Sequence, residues 1–331
     1  MTGTDGPDPH GTATAYDALR SGVGLYVLPR DVVRATGADA TSYLQGQCSQ
    51  DVEALGRGQS ADALLLSPQG KVDVYLRVTR TGDDEFVLDT DPGFRGAMVE
   101  RLERFRLRMA VEFEPLDWEC VALRGPDAAS AVVGAPPLVI PVEWPGLSGV
   151  DLLGPRPKGG IGAWVTDRVT RCPDEAWEAA RIEAGVPVNG RELVAGTIAA
   201  EVGLVDRAVS FTKGCFTGQE LVARLDARGS NVARRLCGVV IGGRAGSDVR
   251  ATRDGSLEPL VGAPVWTEDG GHEVGRLSSV AWSPGLQAVV ALATLHRRVT
   301  LPATVGVGLS GVDGGPRTAA QAVELPLVPP H

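Results

Sequence analysis

The residues best suited to chemistry lie in one octapeptide, the segment from Lys213 to Glu220, which reads KGCFTGQE. Cys215 lies on a turn between two glycines, Gly214 and Gly218, and two residues after Lys213. A nearby ammonium and the start of a following helix both favour the thiolate, which is the reactive form of cysteine. The glycines permit a tight turn and a close approach of backbone to a ligand. The octapeptide therefore predicts a reactive Cys215 with Lys213 as its electrostatic partner.

Several of these residues also have a purely structural interpretation. The pair Thr217 and Glu220 matches a capping box, in which each side chain accepts a hydrogen bond from a backbone N–H at the start of a helix. Phe216 either enters the core or offers a face on which a flat ring can stack, and the sequence leaves both open. For Cys215 the alternative is a buried, inert thiol.

The elements around the octapeptide must hold it in place. A strand-like run, residues 208–211, precedes it, and a helix-like run, residues 221–225, follows it. Earlier in the chain, two alternating apolar runs flank Pro68-Gln69-Gly70, which predicts a β-hairpin over residues 62–78. Residues 173–184 predict a helix with acidic residues in its first turn. Beyond Ala233, short strands separated by glycines predict a small all-β barrel or sandwich.

Length and composition set limits on the kind of protein. The 331 residues allow two or three packed units, and the net charge of −9 disfavours a surface built to bind phosphates. No apolar run is long enough to span a membrane, and the first fifteen residues lack the features of a signal peptide. The expected location is the cytoplasm, with reduced thiols. The expected organisation is a disordered tail over 1–15, an α+β region over 16–232, a barrel over 233–318 and a tail over 319–331.

Two groups of arginines stand out. The first follows the octapeptide and predicts a local positive groove for carboxylates or phosphates, with a solvated helix end as the alternative. Its members are Arg224, Arg228, Arg234 and Arg235. The second alternates with Glu100 and Glu103, which favours a solvated helix face. Its members are Arg101, Arg104, Arg106 and Arg108.

The octapeptide, continued to Arg224, resembles the K-G-C-[FY]-x-G-Q-E-x-x-x-R motif of the YgfZ-type folate-binding proteins. These are relatives of the glycine-cleavage T-protein, an aminomethyltransferase, and they are linked to iron–sulfur cluster maintenance. Residues 43–47 with Asp51, residues 69–71 and residues 181–187 resemble further segments of that family. The similarity extends over about residues 24–295.

The resemblance implies an α+β, three-lobed T-protein-like fold in which two interleaved lobes and a C-terminal β-barrel surround tetrahydrofolate. Glu183 stands where the family's glutamate binds the pterin ring, and a carboxylate can accept two parallel N–H bonds from such a ring. Arg224 and the neighbouring arginines would face the glutamyl tail. The resemblance also places Gln219, Gly214, Gly218 and Phe216 among the residues that contact the folate.

The function implied is that of a folate-binding accessory protein in iron–sulfur cluster assembly or repair. Cys215 would be a reactive thiol or a transient cluster contact. Because a stable cluster usually has about four protein ligands, the contact would be shared with a client or assembly protein. The expected partners are therefore folate and such proteins, without a membrane and without direct binding of nucleic acid. No metal site is predicted within one segment, because no two cysteines have C-x-x-C spacing.

Two alternatives remain open at this stage. The first is a folate-dependent aminomethyltransferase or other one-carbon transfer enzyme. The family's transferases carry Gly-x-x-Asp-Asp in the hairpin, but here the second aspartate is replaced by Val74, which can neither accept a proton nor orient an amine. The second is a role linked to tRNA modification, because the family is also associated with tRNA thiolation. The sequence does not decide whether a reaction is catalysed.

Overall fold

The computed structural model describes residues 9–227, 229, 231–242, 257–308 and 317–328. Within these ranges the strands form two open five-stranded sheets and one closed six-stranded barrel. The helices are α1 (Pro9–Ser21), α2 (Ala40–Gln47), α3 (Arg95–Arg104), α4 (Asp174–Ala184), α5 (Val205–Ala208) and α6 (Gln219–Asp226). The strands are β1 (Gly24–Leu28), β2 (Asp31–Thr36), β3 (Ser60–Leu66), β4 (Val72–Arg80), β5 (Glu85–Thr90), β6 (Glu112–Leu116), β7 (Trp118–Arg124), β8 (Leu138–Trp144), β9 (Leu147–Pro155), β10 (Thr170–Arg171), β11 (Arg234–Ile241), β12 (Pro264–Thr267), β13 (Glu273–Ser283), β14 (Ala288–His296), β15 (Ala303–Gly308) and β16 (Arg317–Val323).

The two open sheets are interleaved along the chain. The first has the order β10-β1-β7-β9-β8, and the second has the order β3-β4-β5-β2-β6. The chain therefore places β1 in the first sheet, builds the whole second sheet, and returns to the first at β7. In the hairpin, Leu65 pairs with Val74 and Leu66 with Val72, which leaves Asp73 in a bulge.

The second sheet buries one face against α2 and α3. Along β4, Val74, Leu76 and Val78 alternate with residues of the other face and are all buried. They pack with Leu44 of α2 and Met98 of α3 in one apolar cluster. This period of two is the pattern expected of a strand whose two faces have different neighbours.

Helix α4 joins the barrel to the rest of the protein. Its alanines are buried, and Trp177 and Ile182 pack in one cluster with Val290 and Leu292 on the outside of the barrel. Because the barrel interior is also apolar, β14 is buried on both faces over most of its length. This explains why β14 is a nearly continuous apolar run rather than an alternating one.

Part of each expected tail belongs to the folded structure. Residues 9–15 form the first half of α1, because Ala15, Tyr16 and Leu19 share one buried side of that helix. Residues 319–323 belong to β16, which closes the barrel by pairing with β11. Residues 324–328 pack back on α4, where the Leu327 N–H donates to the Glu183 carbonyl at 2.7 Å. Residues 1–8 and 329–331 lie outside the described ranges.

One other local expectation needs correction. The strand-like run before the octapeptide is the end of α5 followed by a loop, because the Ser210 N–H donates to the Ser49 carbonyl rather than to a neighbouring strand. The proline-rich stretch over 134–162 forms two strands, β8 and β9. Pro141 is accommodated because β8 lies at the edge of its sheet. In the described parts of the chain, no helix is both long and apolar enough to cross a bilayer.

Candidate functional site

A cavity of about 430 Å³ lies between the two open sheets and α4. Four of its lining residues are aromatic: Tyr26, Tyr75, Trp144 and Trp177. Six are arginines: Arg30, Arg77, Arg124, Arg181, Arg191 and Arg207. Four are carboxylates: Asp62, Asp91, Asp151 and Glu178. The cavity thus combines flat apolar surfaces with charges of both signs.

The aromatic side chains form a layered wall. Tyr26 of β1 is stacked on Trp177 of α4, with ring centroids 4.5 Å apart and an interplanar angle of 14°. Trp144 leans against the same indole, with centroids 5.0 Å apart. The Tyr26 hydroxyl donates to Asp174 at 3.0 Å, and burial together with this carboxylate raises the Tyr26 pKa above its ordinary value.

A buried ion-pair network forms another part of the wall. Asp151 accepts from Arg124 at 2.8 Å and from Arg77 at 2.7 Å. Burial alone would raise the pKa of Asp151, but the two guanidiniums outweigh it and lower that pKa to about 2. Arg77 also donates to both oxygens of Asp89, at 2.9 and 3.0 Å. Within this network the guanidiniums and the carboxylates largely neutralise each other.

Glu178 is the cavity carboxylate that α4 supplies. Its Oε2 accepts from Arg181 at 2.8 Å and from Arg191 at 2.7 Å. Burial would raise the pKa of Glu178, but these arginines outweigh it, so the pKa is lowered. The Glu178 side chain remains 26% exposed. Its Oε1 accepts from Arg181 Nε at 3.2 Å, which leaves a second lone pair of this ionised carboxylate oxygen for an N–H donor of a ligand.

The family resemblance implies that Glu183 binds the pterin ring, but the structure places Glu183 outside the lining of this cavity. The Glu183 side chain is fully buried, accepts from the Tyr16 hydroxyl at 2.8 Å and pairs with Arg20. Five residues rotate a helix by about 140° beyond one full turn, so Glu178 and Glu183 face different neighbours. Glu183 faces α1 and is not among the described residues that line the cavity. Helix α1, which provides both partners, was not among the predicted elements, and a role of Glu183 in binding a pterin ring stays a prediction.

Lys213 of the octapeptide binds backbone rather than the thiol. Its Nζ donates to the carbonyls of Gln45, Cys48 and Gln50, the last two at 2.7 and 2.9 Å. These oxygens lie at the end of α2 and just beyond it, where carbonyls lack helical partners. Burial lowers the pKa of Lys213. Because its three donors are used in this way, the predicted pairing with Cys215 is not formed.

The other residues of the octapeptide divide into exposed and packed positions. Gly214 and Cys215 are exposed. Phe216 is 7% exposed and packs in a cluster with Leu64 and Leu66 of β3, so it belongs to the core rather than to a stacking surface. Gln219 is the first residue of α6, and its Oε1 accepts the Phe216 N–H at 3.4 Å.

The predicted capping box is not formed. The residue preceding α6 is Gly218, in the left-handed region at φ 82°, and no side chain caps this helix end. The helix thus begins one residue later than the pair Thr217 and Glu220 requires. Gly218 is needed there for a second reason, since an added Cβ would lie 2.5 Å from the Ser67 carbonyl oxygen and 2.8 Å from Leu66 Cβ.

The arginines after the octapeptide do not converge on the cavity. Arg224 is exposed on α6, and Arg234 is exposed at the start of β11. Arg235 pairs with Glu324 at 2.9 Å. None of these three is among the described residues that line the cavity, and Arg228 lies outside the described residues. The arginines that line the cavity therefore come from other elements than the group after the octapeptide.

The hairpin β3–β4 connects the cavity and the octapeptide. Residues 60–62 and 75–77 line the cavity, while the turn at residues 67–70 lies against Gly218 and Leu221. Cys215 itself does not line the cavity in the part of the chain that the structure describes. The same described ranges hold no group of three His, Cys, Asp or Glu side chains arranged to bind a metal ion.

Comparison with known proteins shows which proteins the chain is similar to. No family model matches the chain. The tRNA-modifying protein YgfZ of Yersinia pestis (strain Pestoides F) is 29% identical over 233 residues, which cover 64% of this chain and 70% of the relative. An aminomethyltransferase of Synechococcus sp. (strain WH7803) is 27% identical over 359 residues, which cover 96% of this chain and 90% of the relative. The chain is related by sequence both to YgfZ and to the aminomethyltransferases.

One solved structure supports the fold of this chain. The glycine cleavage system aminomethyltransferase T from Bartonella henselae superposes with a TM-score of 0.76 at 20% identity, over 97% of this chain and 90% of that one. The predicted T-protein-like fold with a terminal barrel is therefore confirmed.

Proposed function

We propose that this YgfZ-type protein binds tetrahydrofolate in the central cavity and serves in the cytoplasm as an accessory protein for the assembly or repair of iron–sulfur enzymes. The relatives are named as aminomethyltransferases and as a tRNA-modifying protein. Those names do not state what this chain binds, so the proposal depends on how well its own residues suit a folate.

The observation that carries the proposal is Glu178 beside the stacked Tyr26 and Trp177. A carboxylate oxygen can accept an N–H of a 2-amino-4-oxo-pyrimidine in a charge-assisted hydrogen bond, which helps to orient the ring. The stacked aromatic side chains offer apolar surface for a flat heterocycle. A cavity of about 430 Å³ lies within the range usual for small-molecule sites.

Arg207 suits the other end of the ligand. It lines the cavity, its side chain is 31% exposed and it is held by Asp62 of β3, so it combines a fixed position with access to solvent. A guanidinium binds carboxylates through two parallel N–H donors, and the glutamyl tail of folate carries carboxylates. When bound, tetrahydrofolate carries one-carbon units. The chain's own contribution is to orient the ring and neutralise the tail.

Cys215 supplies the second part of the proposal. Its residue is exposed, unlike those of the other four cysteines. An added Cβ on the neighbouring Gly214 would also meet open space. An iron–sulfur cluster would be cargo here, shared between this thiol and ligands of a client protein, since one cysteine provides only one of about four ligands.

The transferase alternative is weakened by the surroundings of the hairpin bulge. Val74 is fully buried in the apolar core of the second sheet. The adjacent carboxylate, Asp73, is bound to Arg101 at 3.2 Å. Similarity to aminomethyltransferases over nearly the whole chain keeps this alternative worth an assay, in which formation of methylene-tetrahydrofolate from an aminomethyl donor would support it.

A link to tRNA modification follows from the name of one relative and is compatible with the same proposal, because RNA-modifying enzymes that carry clusters could be clients. With a net charge of −9, direct RNA binding is disfavoured. A gel shift that shows salt-dependent affinity for tRNA would favour the direct role instead.

Genetic replacement tests the accessory function. In cells that lack this protein, we expect the wild-type chain to restore several iron–sulfur enzyme activities and Cys215→Ser to fail. Cys172→Ser is the matched control, because that thiol is partly buried against the Ala15 carbonyl. Glu178→Gln should also fail, while Glu175→Gln, an exposed change on the same helix, should succeed. Full rescue by Cys215→Ser would contradict a role for the thiol.

A further inference from the structure

Arg101 of α3 occupies a buried position beneath the octapeptide. The sequence favoured a solvated face for this residue, but its side chain is only 5% exposed. Its neighbour Arg104, by contrast, is 63% exposed and pairs with Glu100 one turn away. A buried guanidinium is costly unless its donors are satisfied, so the partners of Arg101 indicate what it holds.

The donors of Arg101 reach two different elements. Nη2 donates to the Leu66 carbonyl at 2.7 Å, and Nε donates to Asp73 Oδ2 at 3.2 Å, so one side binds the closed end of the β3–β4 hairpin. Nη1 donates to Gln47 Oε1 at 3.0 Å, so the other side binds the last residue of α2. The guanidinium also lies 4.3 Å from the Phe105 ring centroid.

Both of these elements support the octapeptide directly. Gln47 Oε1 also accepts from the Thr217 hydroxyl at 3.5 Å, and the Thr217 N–H donates to the Gly46 carbonyl at 3.2 Å. Gly218 packs so closely on Leu66 that no side chain would fit between them. Arg101 therefore fixes the separation of the two surfaces on which the octapeptide rests.

Arginine suits this task better than lysine. Its planar fork presents several donors in fixed directions, whereas an ammonium is a compact point charge on a flexible stem. Leu66, Asp73 and Gln47 lie on different sides of the guanidinium, and a lysine could satisfy only part of this set.

We propose that Arg101 is a positioning residue, which holds the octapeptide, and with it Cys215, against α2 and the β3–β4 hairpin. Its importance in the cell rests on the proposed function of Cys215. The positioning itself is a physical property that can be measured whatever the function of Cys215.

Amide hydrogen exchange of the full-length protein tests the positioning. Within residues 214–219 the hydrogen-bonded amides are those of Phe216, Thr217 and Gln219. In Arg101→Lys we expect these amides to exchange about tenfold faster than in the wild type, because local opening then breaks fewer bonds. The amides of the barrel strands β13 and β14 should be unchanged. Arg104→Lys, on the same helix but exposed, should change neither region. Unchanged exchange at 214–219, or equal acceleration in the barrel, would overturn the proposal.

A second variant keeps the test decisive if Arg101→Lys folds poorly. Gln47→Leu leaves Arg101 in place and removes only the acceptor shared with Thr217, so we expect local acceleration at 214–219 and an unchanged barrel. Local exchange unaltered by this change would count against the proposal. Rescue by Cys215→Ser would overturn the proposed function and leave these exchange results valid, so the two failures can be told apart.

Discussion

At the scale of single residues, burial separates Cys215 from the other cysteines. Burial raises the pKa of Cys48 and Cys172 to about 12 and that of Cys237 to about 11, and it raises the pKa of Cys120 as well. These four thiols are therefore protonated at neutral pH, and the thiolate is the form that reacts. Cys215 is exposed.

This contrast predicts selective labelling. Iodoacetamide applied to the folded protein at about pH 8 should give one adduct, at Cys215, within the time in which the unfolded chain gains five. Peptide mass spectrometry locates the adduct, and Cys215→Ser is the control that should stay unlabelled. Equal labelling of Cys172 or Cys48 in the folded protein would contradict the burial described above.

Asp151 predicts a dependence of stability on pH. Its folded pKa is lowered from 3.8 to about 2, so its contribution to the free energy of unfolding is present above about pH 4 and is lost as the pH falls toward 2. Between about pH 5 and pH 3 the wild type should lose about 1 kcal/mol through this group. Urea unfolding at both pH values measures the loss. Asp151→Asn should be less stable at both and should lack this part of the pH dependence, and an identical pH dependence in the two proteins would refute the assignment.

At the scale of elements, the octapeptide lies against α2 and the β3–β4 hairpin and leads into α6. Lys213 ties it to the carbonyls at the end of α2, Phe216 anchors it in the core, and Gly218 lets it pass the hairpin turn. Most of its sequence signature is thus explained by packing and hydrogen bonding, which leaves Cys215 as its exposed thiol.

The two glycines of the octapeptide give a matched pair for a test. Gly218→Ala places a Cβ at φ 82° and 2.5 Å from the Ser67 oxygen, and we expect it to cost at least about 2 kcal/mol of unfolding free energy. Gly214→Ala has open space and should change stability by no more than about 0.5 kcal/mol. Denaturant unfolding of both variants checks this. Equal stabilities would show that Gly218 is not constrained as described.

The sequence could predict elements that depend on local patterns. The β3–β4 hairpin follows from its alternation and its Pro-Gln-Gly turn, and α6 follows from its apolar spacing. The capping box failed because a left-handed Gly218 competes with Thr217 for the same position, and local pattern alone does not rank the two. The contacts of Arg101 were missed for a related reason, since charge alternation is the same on a solvated face and on one covered by a distant hairpin.

At the scale of the whole molecule, the cavity is assembled from distant segments. Tyr26 of β1, Trp144 of β8 and Trp177 of α4 meet there, and they are separated by long stretches of chain. The resemblance of one helix to the family led to Glu183, but the helical rotation that brings Glu178 to the cavity depends on α1 covering the opposite side. The fold predicts a site at this place. The residues that line it become known only from the tertiary structure.

Calorimetric titration of tetrahydrofolate into the full-length protein tests the central claim most directly. We expect saturable binding at one site per chain in the wild type and in Glu175→Gln. Glu178→Gln should weaken the affinity about tenfold or more, because a charge-assisted hydrogen bond is worth about 1.5–3 kcal/mol. Absence of heat in the wild type, or equal affinity in Glu178→Gln, would contradict folate recognition by this cavity.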